Sequence, residues 1–177
     1  MQSDIARLAW RSGMSGFTLV ELMVTVAVIA ILSAVAVPVM TGLINNSRLT
    51  GLTGEVVSAV QLARSEAVRR NARVQLCASV DGLTCAKSSN WSQWIVLAPD
   101  HTTNSAHVEL NHRAPPNTQV TGPENGIVFR PSGLLRSAAQ ITVCVPTTNP
   151  SSNQRVVDVA ISGSPITKPQ DGGGQCP

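Results

Sequence analysis

At 177 residues, 43% hydrophobic and 13% charged with a net charge of +3, the chain has room for one modest domain and excludes a second large one. The faint basic bias does not compel a nucleic-acid partner, and the absence of Tyr points to a small, polar-surfaced soluble part. The apolar residues are concentrated in one N-terminal run, around which the rest is arranged.

Residues Met1 to Gly16 lack apolar periodicity, and Ser12-Gly13 and Ser15-Gly16 predict a flexible, accessible segment. The run that follows, GFTLVELMVTVAVIAILSAVAVPVM from Gly16 to Met40, holds a single charge, Glu21. Leu22 to Met40 is long enough to span a bilayer core, which takes about 20 apolar residues as helix. A carboxylate there costs at least about 2.5 kcal/mol, so Glu21 needs a partner or a task. The cation within reach is the α-amine that a cut between Gly16 and Phe17 would create. Arg7 and Arg11 precede the run and no Lys or Arg follows until Arg48, which predicts a cytoplasmic N-terminus and an exported C-terminal part. A secretory signal peptide cut after Ala34-Val35-Ala36 is the rival reading. Against it stand the long leader, Glu21 early in the apolar run, and a helical pattern that continues past the cut.

Gly16, Phe17, Thr18, Leu19 and Glu21, heading an apolar helix, resemble the N-terminus of type IV pilins and type II secretion pseudopilins. That resemblance implies cleavage after Gly16 by a prepilin peptidase, methylation of Phe17, and pairing of Glu21 with the N-terminus of a neighbouring subunit. The implied partners are the peptidase, other pilins or pseudopilins in a filament, and the bacterial inner membrane.

Past this run, Pro38 is expected to kink or loosen the helix, and Gly42, Gly51 and Gly54 to soften it by about 1 kcal/mol each. The apolar stripe nevertheless persists through Leu49, Leu52, Val56, Val60, Ala63 and Ala67 and must lie on a globular domain. Glu66 and Arg70, spaced i,i+4, read as a solvated pair worth about 0.2–0.5 kcal/mol. Asn71 is the expected helix end. Leu62 to Cys77, LARSEAVRRNARVQLC, also resembles the helix-to-strand junction of the GspH/FimT subfamily.

Beyond the junction the pattern changes to short strands. Val74, Leu76 and Ala78 alternate with polar residues; Asp81-Gly82 suits a hairpin turn; Trp94 to Ala98 is a compact strand ended by Pro99-Asp100. Val108 and Leu110 give a weaker signal, Pro115-Pro116-Asn117 breaks it, Ile127 to Phe129 resumes, and Pro131-Ser132-Gly133 turns again. Ile141, Val143 and Val145 alternate cleanly, as do Val157, Val159 and Ile161. The Gly-rich tail, Pro169 to Pro177, should be loose unless tied. The expected fold is α+β and pilin-like: a long N-terminal helix, membrane half plus amphipathic half, packed on a small mainly antiparallel β domain. Its expected parts are a prepilin leader at 1–16, a transmembrane and assembly helix at 17–40, an amphipathic half at 41–72 and a periplasmic β domain at 73–177.

Four cysteines, all after the apolar run, agree with an oxidising compartment and permit three pairings. In one of them Cys77 and Cys85 close a short loop around Asp81-Gly82, and Cys144 and Cys176 pin the tail to a strand, worth about 3–4 kcal/mol. A zinc site lacks any C-x-x-C, and His101, His107 and His112 fit no metal spacing and read as surface residues. With no G-x-S-x-G, P-loop or dinucleotide fingerprint, neither enzyme nor cofactor is expected. Some FimT-type minor pilins bind DNA through a Gly-Arg-x-Arg motif near the C-terminus. The matching place here, Gly163-Ser164-Pro165-Ile166, lacks both arginines. Arg155, Lys168, Arg130 and Arg136 are the candidate phosphate contacts of that disfavoured DNA reading. Trp91 and Trp94 fit buried anchors better than stacking platforms. The sequence thus reads as a non-enzymatic minor pilin or pseudopilin of GspH/FimT type, serving either a type II secretion or a type IV pilus filament. The alternatives are a DNA-uptake minor pilin and a periplasmic domain exported by an ordinary signal peptide.

Overall fold

A computed structural model describes residues 16–100 and 105–177. The leader ahead of Gly16, with Arg7 and Arg11, lies outside the described residues, as does His101.

Helix α1, Leu19–Arg69, runs unbroken through Pro38 and all three glycines. The sequence predicted loosening there; a proline removes one donor from the ladder, and in a long helix the turns on either side hold the register. The chain divides into two compact units, 1–39 and 40–177. In the first, every described residue is exposed, including the apolar side chains from Phe17 to Val39.

In the second unit, the amphipathic half of α1 meets two four-stranded antiparallel sheets. Sheet A has the order β3-β2-β1-β5 and is built from β1 (Val74–Ala78), β2 (Gln93–Asp100), β3 (Ser105–Arg113) and β5 (Ile127–Phe129). Sheet B has the order β4-β6-β7-β8, from β4 (Gln119–Thr121), β6 (Ala139–Cys144), β7 (Gln154–Val159) and β8 (Pro165–Gln170). Leu49, Leu52, Val56, Val60, Ala63 and Ala67 are buried and share one core with Leu76, Trp94, Phe129, Ile141 and Val157. The predicted stripe is therefore the face that the sheets cover. Trp91 and Trp94 are buried anchors, at 0% and 1% exposure.

The strand boundaries needed correction in several places. β2 continues through Pro99-Asp100, which pair with Ala106 and Ser105 of β3. The pairing of β2 with β1 ends at Leu97, so no β1 partner is lost at Pro99. β4 and β8 went unpredicted: β4 has three residues, and β8 is an exposed edge strand carrying Pro165 and Pro169. Their pairing comes from β6 and β7, not from any alternation of their own. Val145 and Ile161 fall beyond the ends of β6 and β7. Val145 stays buried, while Ile161 is exposed in a turn closed by the Gly163 N–H donating to Ala160 O at 2.8 Å, with Gly163 at φ +78°.

Asp81-Gly82 does not form a two-residue hairpin; it lies within the longer connection 79–92 between β1 and β2. The Asp81 carboxylate accepts from the Leu83 and Thr84 N–H groups, each at 2.8 Å, and from Thr84 Oγ1 at 2.7 Å. The Thr84 and Leu83 amides, followed by the Thr84 hydroxyl, hold its pKa well below the usual carboxylate range. At the other end of α1, Asn71 takes a left-handed φ of 49°, and Ala72 N–H donates to Ala67 O, a C-terminal cap that ends the helix where the sequence suggested.

Candidate functional site

The N-terminal segment is organised by a cap. Thr18 precedes the first helical residue, its Oγ1 accepting the Glu21 N–H at 3.2 Å and its carbonyl the Leu22 N–H at 3.1 Å. Thr18-x-x-Glu21 is thus the spacing of a capping box, with Glu21 at the third helical position. A carboxylate in the first turn is also favoured by the helix dipole. From the sequence, Glu21 has an intermolecular task and Thr18 only a place in the motif; the Thr-x-x-Glu spacing is the signal for the cap. Phe17 lies just outside the helix and is 83% exposed. By length and composition α1 can cross a membrane, and its apolar first half meets nothing else within its own unit.

The β domain is held together across both sheets. Cys77 is bonded to Cys85 and Cys144 to Cys176, with Cα separations of 5.6 and 5.7 Å. Leu76 and Ala78, and Val143 and Val145, point into the shared core; alternation therefore puts Cys77 and Cys144 on the outer faces. Each disulfide draws a loop or the tail across one sheet. Asn153, fully buried, completes the tail's attachment: its Nδ2 donates to Val145 O and Gln175 O, both at 3.1 Å, and its Oδ1 accepts the Gly172 N–H at 2.9 Å.

Two groups read as solvated surface are built into this domain instead. Glu66 is only 9% exposed; it accepts from Arg69 Nε at 3.1 Å and Arg70 Nε at 2.8 Å. Hydrogen bonds from Arg69, then Arg70, lower its pKa against the opposing effect of burial. Arg70 reaches on to Pro99 O at 3.1 Å and pairs with Glu109 of β3, so the expected helix-surface pair is a strut between α1 and sheet A. His112, likewise, contacts Trp94 and Glu55. The helix spacing showed the Glu66–Arg70 pair, but β3 was not placed beside it by anything in the sequence.

The candidate phosphate contacts fall into two places. Arg155 donates to Asn46 Oδ1 at 2.8 Å and to the Ser152 and Gln154 carbonyls, while Lys168 pairs with Asp158 at 3.0 Å. Gly163 lies instead near Arg64, 18 residues along α1 from Asn46, or about 27 Å of helix rise. Arg130 and Arg136 line a cleft with Arg73, away from Arg155 and Lys168.

Comparison with known proteins decides the family. The model of the type II transport protein GspH matches residues 52–164. The chain belongs to the GspH family. A prokaryotic N-terminal methylation motif matches residues 11–37. The minor pilin FimU of Pseudomonas aeruginosa is similar in structure, with a TM-score of 0.55 at 17% identity over 70% of this chain and 90% of FimU. The minor pseudopilin EpsH of the Vibrio cholerae type 2 secretion system gives a TM-score of 0.51 at 10% identity, over 69% of this chain and 97% of EpsH. At these identities the two likenesses carry the fold. No curated protein matches the sequence significantly. This GspH-family chain is a structural subunit of the minor pilin and pseudopilin kind, anchored through its apolar N-terminal helix.

Proposed function

We propose that the GspH-family chain is cut after Gly16, methylated at Phe17, and drawn into a filament through Glu21. The observation that carries the reading is the methylation motif over residues 11–37, coinciding with a Thr18-capped helix whose apolar first half is exposed along its whole length. In the mature chain the Phe17 amine of one subunit would neutralise Glu21 of its neighbour, removing the cost of a lone carboxylate among apolar groups. The apolar halves of the helices then pack together, and the domain from residue 73 onward stays outside the membrane on the oxidising side, where its two disulfides persist. The Arg7 and Arg11 charges favour a cytoplasmic leader.

Intact-mass measurement of the membrane-extracted protein tests the processing, with an N-methylated Phe17 start expected and a soluble product beginning at Val37 against it. Glu21→Val tests the assembly step: the variant should be inserted and processed but depleted from filaments. Normal incorporation would overturn the pairing.

A further inference from the structure

β1 and β5 are antiparallel, with Val74 opposite Phe129. Arg73 and Arg130 flank this last pair, just beyond the ends of the two strands, and border the same cleft. Beyond Arg130 the chain turns back, with Gly133 N–H donating to Arg130 O and Arg130 N–H to Leu134 O, and Leu135 bridges to Phe129. The next residue, Arg136, is thereby brought to the same cleft.

Three arginines from three segments thus border one cleft of about 500 Å³, whose lining contains no acidic residue. All three are exposed, and among the described residues their guanidinium groups make no hydrogen bond or ion pair. Arg69, Arg70, Arg113, Arg155 and Lys168 are all engaged within the domain. Asp100 borders a neighbouring depression that shares Arg73, not this cleft.

The cleft is not purely electrostatic. Val128, on β5, and Ala138 contribute apolar wall, while the outer edge of β5 is already met by the returning chain, Leu135 bridging Phe129. Guanidinium forks suit carboxylates, and the apolar wall suits the aliphatic side chains that alternate with them in a peptide. A nucleic acid fits less well: Trp91, Trp94 and Phe129 are buried, so the cleft offers no aromatic face for a base.

We propose that this cleft docks an acidic segment of a partner polypeptide, its carboxylates held by Arg73, Arg130 and Arg136 and its apolar side chains lying against Val128 and Ala138. The site is independent of the helix-mediated register above, because its occupancy is read on single subunits without a filament.

The test uses the full-length protein in neutral detergent micelles. The fluorescent probes are an octapeptide alternating Glu and Val, its Lys counterpart, and a single-stranded oligonucleotide of matched charge. Saturable binding of the Glu peptide at low salt is expected, weakened at least tenfold by Arg130→Ala with Arg136→Ala, and unchanged by Arg155→Ala. Arg130→Lys with Arg136→Lys should bind more weakly than the unaltered protein but more tightly than the double alanine variant, which separates lost charge from lost fold. Absence of saturable Glu-peptide binding, equal binding by the double alanine variant, or tighter binding of the oligonucleotide or the Lys peptide would overturn the proposal.

Discussion

His112 Nε2 donates to Glu55 Oε2 at 2.7 Å while its ring sits 4.6 Å from that of Trp94, so one edge-strand side chain joins α1 to the core of sheet A. Glu55 is almost half exposed, which limits the hydrogen bond, whereas Trp94 is buried and gives the ring contact a rigid floor. His112→Ala should therefore cost about 1–2 kcal/mol in unfolding free energy, most of it from the Trp94 contact. In a double-mutant cycle with Glu55→Gln, measured by urea unfolding in micelles, the coupling should stay below about 1 kcal/mol. A larger coupling would show that the hydrogen bond is the dominant part.

Acid should loosen the domain through carboxylates that are bound in the folded state. Hydrogen bonds lower the pKa of Glu66, chiefly from Arg69 and Arg70, and of Asp158, chiefly from Gln140 and then Lys168; Asp81 is held low by the Thr84 and Leu83 amides. A depressed folded-state pKa contributes stability that is complete above the unfolded value and is lost as pH falls through the folded one. The loss should begin below the ordinary values of 4.5 for Glu66 and 3.8 for the two aspartates. Urea midpoints should be flat from pH 7 to 5 and then fall. Glu66→Gln should lower the midpoint at pH 7 and make the acid fall shallower; an unchanged slope would remove Glu66 from this account.

The Cys144–Cys176 bond closes a span of 32 residues and holds a tail that is otherwise attached mainly through Asn153 and Gln154. Replacing both cysteines by Ser should cost about 3–4 kcal/mol in the chain-entropy model and release residues 171–177, read as loss of amide protection at Gln175. The shorter Cys77–Cys85 loop should cost less, about 2.5 kcal/mol. The reverse order would mean that the loop's cover over the outer face of sheet A outweighs loop entropy.

The apolar run from Phe17 to Met40, the stripe from Leu49 to Ala67, and the alternation in β1, β6 and β7 were legible because each depends on periodicity within one element. A single Glu in an apolar run, and a Gly-Phe-Thr-Leu-x-Glu heading, are likewise local patterns, so they carried the family resemblance without any fold. What the linear pattern missed was made by neighbours. β4 and β8 exist because β6 and β7 offer them partners, Glu66 is buried because Arg70 reaches Glu109 on β3, and His112 is fixed by Trp94 and Glu55. Arg73 was not among the candidate residues because only the pairing of β1 with β5 brings it to the cleft that Arg130 and Arg136 border. The sequence by itself determined where the helix runs, which face it buries and how the chain begins, since these follow from local spacing and hydrophobicity. Tertiary structure decided which cysteines meet, which charges are consumed in the fold and which three arginines are left facing a shared cleft, because those outcomes depend on contacts between residues far apart in the chain.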